Sequence, residues 1–240
     1  MKLSDFKALT FDVYGTLIDW ETGMFTALKP LIEKVDHELT RDEVLQRHAY
    51  YESTQQFYTP AKRYQELLPI VYRRLAEEWG VEVTLEECEA YGQSVKDWPA
   101  FPDSPGALQY LKKHFKLVVL TNTDNDTFQH SQAKLQVEFD GRYTAEDVGS
   151  YKPESRNFDY MLDRLSCLGI EKEDILHTAE SMFHDHQPAN EYGLANCHIY
   201  RRHDKKGFGA TMTPDMMPSI DFRFNSMADL VKAHQTELES

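Results

Sequence analysis

Apolar positions along the chain alternate between two periods. Residues 6–13 form a short run rich in aromatic and β-branched side chains that ends at Tyr14-Gly15-Thr16, where glycine permits a turn. The run reads as a buried strand delivering Asp12 to its carboxyl end. From about Glu21 to Trp98 the spacing is helical, with no convincing strand. Thr40 to Glu43 and Thr84 to Glu87 have the Thr-x-x-Glu form of a capping box and mark two helix starts. Two prolines in Trp98-Pro99-Ala100-Phe101-Pro102 stiffen the exit from this block, and Ser104-Pro105 offers an N-cap followed by proline at the first helical position. Strand and helix then alternate, with strands expected over 116–121, 142–144, 175–179 and 197–200 and helices over 127–135 and 155–168. A further helix holds 189–192 and is closed by Gly193. Residues 201–218, rich in proline and glycine, read as a surface loop whose Lys205-Lys206 pair is merely solvated, and 227–238 as a closing helix.

Such βα alternation predicts a Rossmann-like α/β fold, a doubly wound parallel sheet covered by helices on both faces, with the helical block inserted as a separate layer. In open α/β sheets the ligand lies outside the carboxyl ends of the strands, so the residues just past each strand carry the chemistry. They are Asp12, Tyr14 and Thr16; Thr121 and Asn122; Lys152; and Glu180, Ser181 and Asp185. Carboxylates, hydroxyls, an amide and an ammonium converge from four segments, which packing alone would not require.

Charge narrows the partner. The 240 residues hold 26 Lys+Arg against 40 Asp+Glu, a net charge of −14, and that field repels nucleic acid and anionic membranes. Three cysteines without C-x-x-C spacing argue against a disulfide framework or a zinc knuckle. No apolar run is long enough to span a membrane, and Met1 to Asp5 has neither the apolar centre nor the cleavage site of a signal peptide, so a cytoplasmic location is the expectation.

The four segments, in this order, resemble the haloacid dehalogenase superfamily. Phe11-Asp12-Val13-Tyr14-Gly15-Thr16-Leu17 is similar to its first motif, Leu120-Thr121-Asn122 to its second, Tyr151-Lys152-Pro153 to its third, and Glu180 to Asp185, with Ala189 and Gly193, to its fourth. The resemblance covers nearly the whole chain. It implies an α/β core from residues 1–17 and 99–240 with a helical cap domain over 18–98. It also implies Asp12 as a nucleophile that forms an ester, Lys152 as the cation that keeps Asp12 ionised and aimed, and Asp185 as the group that orients Lys152 or water. A desolvated carboxylate held by a fixed cation is a competent nucleophile. Thr16, Thr121 and Asn122 are expected to bind substrate, together with Tyr14, Trp20, Phe158 and Glu180.

Phosphatases of the superfamily carry a second aspartate two residues after the nucleophile, and here that position is Tyr14. The pattern instead resembles the L-2-haloacid dehalogenase branch, which needs no metal and attacks the α carbon of a small 2-substituted carboxylic acid. No cofactor is therefore expected. A magnesium-dependent phosphatase, with Glu180 and Asp185 holding Mg²⁺, is the alternative. The likeness to dehalogenases is incomplete: Leu45 stands where that branch has a halide-binding arginine, with Arg41 and Arg47 nearby, Phe158 where it has a tyrosine, and Met182 where it has an asparagine. Asp124 and Asp126, if they face the pocket, favour a cationic leaving group, as in the ring opening of L-azetidine-2-carboxylate by azetidine-2-carboxylate hydrolases of this group. His184-Asp185-His186 gives no metal site, since neighbours two apart on a helix do not share a face. Tyr50, Tyr51, Phe57, Tyr58 and Tyr64 are candidates to wall the pocket from the cap, and cap helices of this composition can also mediate a homodimer.

Overall fold

The computed structural model describes residues 1–239. Strand β1 (Ala8–Phe11) is followed by four helices, α1 (Trp20–Ile32), α2 (Arg41–Tyr58), α3 (Tyr64–Glu78) and α4 (Leu85–Gln93). Then come α5 (Ser104–Leu111), β2 (Lys116–Thr121), α6 (Asn125–Leu135), β3 (Gly141–Thr144), α7 (Ala145–Val148), α8 (Ser155–Ser166), β4 (Ile175–Ala179), α9 (Gln187–Glu191), β5 (Ala195–Ile199), β6 (Phe222–Phe224) and α10 (Met227–Glu239). The strands form one parallel sheet of six in the order β3-β2-β1-β4-β5-β6. The chain reverses its winding direction at β1 and β4, so Asp12, just past β1, stands at the switch point where open α/β sheets bind ligands.

Both faces of the sheet are apolar, and the alternation along each strand divides them. On one face Leu9, Phe11, Leu117, Val119 and Leu176 pack with Leu108 and Leu111 of α5, Phe128 of α6 and Leu230 of α10. On the other, Ala8, Val118, Leu120 and Ile175 pack with Phe158, Met161 and Leu165 of α8 and Ala189 of α9. This two-sided burial is why the central strands β1 and β2 are largely apolar along their length rather than alternating. Both capping boxes form as the spacing predicts, Thr40 with Glu43 and Thr84 with Glu87.

Three local expectations change. Ser104 is the first residue of α5 rather than its cap, and its hydroxyl donates to the Leu17 carbonyl at 2.9 Å. Residues 182–186 form a π-helical turn ahead of α9, for which the sequence carries no periodic signal. Strand β6 lies in a stretch the pattern leaves unassigned, because three residues at a sheet edge, none of them buried, carry too little alternation to read. Among the described residues no helix is long and apolar enough to cross a membrane.

Candidate active site

The carboxyl ends of β1, β2 and β4 meet at one buried ammonium. Lys152, 1% exposed, donates to Asp12 Oδ1 at 3.0 Å, to Asp185 Oδ1 at 2.7 Å and to the Leu120 carbonyl at 2.9 Å. An ammonium has three N–H donors and all three are used, so Lys152 fixes the two carboxylates and has no donor left for substrate. Its backbone is fixed in turn by Asn122, which accepts from Lys152 N at 2.7 Å and donates through Nδ2 to the Lys152 carbonyl at 2.9 Å.

Asp12 is held at three points. Its amide donates to the Thr178 carbonyl at 3.1 Å, Oδ1 meets Lys152, and Oδ2 accepts from the Thr16 hydroxyl at 2.7 Å. Thr16 itself accepts from Glu180 N at 2.9 Å and is fully buried, so it positions the Asp12 carboxylate. The intervening turn needs Gly15, whose φ of +99° favours glycine and whose place leaves no room for a Cβ, 3.0 Å from Trp20 Nε1. Behind Asp185, His177 Nε2 lies 3.0 Å from Oδ1 and His177 Nδ1 lies 2.8 Å from the Thr10 hydroxyl. Asp185 lines the cavity, and its Oδ2 is buried with no hydrogen-bond partner.

Electrostatics separates the two carboxylates. Burial works against the Lys152 ammonium, but Asp12 and Asp185 more than offset it and its pKa goes up. Burial would also raise Asp185, yet Lys152 and then His177 pull it far below the usual carboxylate range. Asp12 goes the other way: burial raises it, Lys152 opposes, and repulsion from Asp185 adds to the rise. Asp185 is thus the permanent counter-ion of Lys152, and Asp12 is the more basic of the pair.

A narrow cavity of about 30 Å³ opens on this network. Its core wall is Asp12, Tyr14, Asn122, Lys152, Ser181, His184 and Asp185; its cap wall is Trp20 of α1, Glu52 and Gln56 of α2 and Tyr64 of α3, with Thr211 closing one side. Burial takes the His184 imidazole down to about 4, so the ring is neutral at pH 7. A second, wider groove of about 380 Å³ shares Gln56, Lys152 and His184 with the cavity and is also lined by Phe57 and Pro60.

Asp12, Lys152, Asp185, Tyr14, Asn122 and Trp20 therefore come together at one cavity. Four other expected residues do not line it. Thr16 is spent on Asp12; Thr121 is buried behind the wall with an unpartnered hydroxyl. Phe158 is fully buried under the sheet, stacked on Tyr192 and against His177. Glu180 lines an adjacent pocket with Arg201 and Arg202, where burial and repulsion from Glu21 and Asp12 lift its pKa to about 8.

The acidic residues after β2 also lie elsewhere. Asp124 caps α6, accepting from Thr127 N at 2.8 Å, and accepts from Gln65 N of the helical block at 3.0 Å, while Asp126 is exposed. Of the cap aromatics, Tyr64 reaches the cavity and Phe57 the outer groove, whereas Tyr50 and Tyr58 are exposed and Tyr51 lines neither. Arg47 pairs with Glu78, Arg41 lies over Phe25, and Leu45 is cap core, so no arginine lines the cavity.

Glu52, Gln56, Ser181, His184 and Thr211 were not among the lining residues expected from sequence, although Ser181 stood among the strand-end residues. Glu52 and Gln56 carried a signal: they fall on the inward stripe of α2 with Val44, Leu45, His48 and Ala49, where apolar residues belong. Thr211 carried none, being brought in by a loop that Arg202 clasps to Glu21 at 2.6 Å.

Part of the oxygen set that a divalent cation would use is engaged elsewhere. Asp185 Oδ1 is taken by Lys152 and His177, Glu180 opens into the adjacent pocket, and the Tyr14 hydroxyl pairs with Ser131 at 2.7 Å. Among the described residues no group of three or more His, Cys, Asp or Glu side chains is placed to hold a metal.

Residues 6–178 match the family model described as haloacid dehalogenase-like hydrolase. The chain is 25% identical over 211 residues to (S)-2-haloacid dehalogenase 4A of Burkholderia cepacia, covering 82% of this chain and 84% of the relative. It is 24% identical over 221 residues to YfnB of Bacillus subtilis (strain 168), named as a HAD-hydrolase, covering 90% and 87%. The L-2-haloacid dehalogenase of Xanthobacter autotrophicus with chloropropionic acid covalently bound superposes with a TM-score of 0.75 at 17% identity, over 96% of this chain and 98% of that one. With the parallel sheet and the motif order pointing the same way as the family model, the chain belongs to the haloacid dehalogenase-like hydrolases.

Proposed function

We propose that this hydrolase displaces the substituent at the α carbon of a small 2-substituted carboxylic acid through an aspartyl ester on Asp12. The observation that carries the reading is the saturated Lys152 ammonium, which holds Asp12 at 3.0 Å against a cavity of only about 30 Å³. Lys152 lets a buried carboxylate stay charged, and Thr16 fixes its second oxygen, so Asp12 is aimed before substrate arrives. A carboxylate oxygen forms the C–O bond to the α carbon while the bond to the leaving group breaks and its electron pair departs with that group. Water then attacks the Asp12 acyl carbon and releases the 2-hydroxy acid. Asp185 Oδ2 orients that water.

Between the two leaving groups, the cavity favours a ring amine over a halide. Lys152 is its one cation, fully committed to two carboxylates, and the cap supplies no arginine. In L-azetidine-2-carboxylate the protonated ring nitrogen takes the electron pair as the C–N bond breaks, becoming a tethered primary amine. The proton freed in ester hydrolysis ends on that amine, and the product is 4-amino-2-hydroxybutanoate.

The reaction is metal-independent in this reading, since Tyr14 stands two residues after Asp12 where the superfamily's phosphatases carry a second aspartate, and Asp185 Oδ1 is engaged by Lys152 and His177. Single turnover in heavy-oxygen water tests the ester: label enters Asp12 first and product on the next cycle, and label going directly to product overturns it. Competing L-azetidine-2-carboxylate against L-2-chloropropionate, with amine and chloride both measured, decides the leaving group. Activity that survives a chelator supports metal independence, and activity abolished by it would favour the phosphatase alternative.

A further inference from the structure

The cap wall of the cavity contains a buried carboxylate with which no lysine or arginine among the described residues pairs. Glu52 is 6% exposed, and its neutral donors are Gln56 Nε2, at 3.2 Å, and the Tyr64 hydroxyl. His48 Nδ1 stands 3.4 Å from Oε2 without forming a hydrogen bond. The Tyr91 hydroxyl lies 2.7 Å from His48 Nε2. Among the described residues no lysine or arginine reaches ion-pair distance of Glu52. Burial, with the field of Glu52 added, raises the pKa of Tyr64, Tyr91 and Tyr151, so these neighbours stay neutral.

A carboxylate this buried costs several kcal/mol unless a partner compensates it, and structural carboxylates therefore come paired. Glu52 replaces an apolar residue on the inward stripe of α2 and faces the same cavity as Asp12. We propose that Glu52 is the specificity-determining residue of this cavity, a receptor for a protonated amine carried by the substrate. This rests on the reading of the cavity as the substrate site and names the substrate class within it: small amino or imino acids whose nitrogen lies at or near the α carbon.

The role follows from what a dry cavity does to an amine. Desolvation favours the neutral form, and a neutral ring nitrogen cannot leave, because its departure would create an amide anion. Glu52 holds the nitrogen protonated and oriented toward the cap while Asp12 attacks from the core. It transfers no proton and forms no bond. Its attraction is strongest before the C–N bond breaks, since the nitrogen loses its charge in that step, so Glu52 contributes to binding more than to the barrier. The same charge disfavours a substituent that departs as an anion.

The test uses binding to the full-length Asp12→Asn protein, which cannot turn substrate over, measured calorimetrically with and without Glu52→Gln. The second substitution is isosteric and leaves the Gln56 and Tyr64 contacts possible. The expected result is a roughly ten- to hundredfold weaker affinity for L-azetidine-2-carboxylate, together with tighter binding of L-2-chloropropionate. Opposite signs for the two ligands separate charge recognition from a structural role, which would weaken both. Cyclobutanecarboxylate, the neutral carbocycle of the same shape, provides a measurement that needs no cap substitution: with Glu52 intact it should bind at least tenfold more weakly than the imino acid. Equal affinities for ring and carbocycle, or a parallel loss of both ligands in Glu52→Gln, would overturn the proposal. Glu52-dependent binding in a protein whose wild type opens no azetidine ring would instead refute the reaction and leave the receptor standing.

Discussion

The two walls of the cavity are built on opposite principles. The core wall is an ion network in which every charge is answered: Lys152 meets Asp12, Asp185 and the Leu120 carbonyl, and His177 and Thr10 back up Asp185. The cap wall is aromatic and amide, with one carboxylate, Glu52, that no lysine or arginine among the described residues reaches. A wall whose charges are paired before substrate binds is preorganised for bond making, and one whose carboxylate has no lysine or arginine partner is built to recognise. Core substitutions should therefore lower turnover of every substrate, and cap substitutions should change which substrate is chosen.

The largest effect that would break this division is at Asp12. Asp12→Asn keeps the shape and removes the proposed nucleophile, so kcat should fall about ten-thousandfold or more for halide and amine leaving groups alike. Loss with one substrate only would mean that the core wall also discriminates. Asp185→Asn comes next: if its free Oδ2 orients the water, ester formation outlasts hydrolysis, and intact-mass spectrometry after substrate addition should show protein carrying the covalent adduct. A slow variant without adduct would assign Asp185 to Lys152 alone.

The same contrast explains what could be read from sequence. The strands, their parallel order and the meeting of Asp12, Lys152 and Asp185 follow from short apolar runs and from side chains placed just past them, where the sheet fixes direction. Glu52 could have been noticed as a polar residue on an apolar stripe, but which stripe faces the cavity depends on how α2 packs over the core, and local periodicity does not encode that. Phe158 shows the opposite failure. Its spacing from Lys152 resembles a site position, yet it belongs to the apolar stripe of α8 and packs under the sheet. Asp124 looked like pocket charge because it follows a strand, whereas its two oxygens are spent on Thr127 N and Gln65 N.

The walls are joined by residues 201–211, read from sequence as mere surface. Arg202, 4% exposed, donates to both oxygens of Glu21 at 2.6 Å and so ties this loop to α1. Gly209, at φ +61°, passes so close that a Cβ would sit 1.8 Å from Glu21 Oε1. Arg202→Met leaves Glu21 buried without its main partner, and should cost about 3 kcal/mol, a fall in Tm of roughly 6–12 °C. Adding Glu21→Gln should restore part of it, because the uncompensated charge is then gone. A double variant no more stable than the single would show that the loop, rather than the pair, sets the cost.

The smallest expected effect sharpens the comparison most, because it concerns an acid that sequence position alone would place in the pocket. Asp126 is exposed in the first turn of α6, where a carboxylate interacts with the helix dipole and with solvent. Asp126→Asn should therefore change stability by about 0.5 kcal/mol or less and leave kcat/KM for amine and halide substrates in the wild-type ratio. Glu52→Gln removes the same formal charge from the protein, so long-range electrostatics alone would make the two variants behave alike. If Asp126→Asn shifted the ratio as far as Glu52→Gln does, substrate choice would be a property of the net negative field and the cap wall would lose its special role. If the ratio moves only with Glu52, recognition resides in the one carboxylate that the fold leaves unanswered inside the cavity.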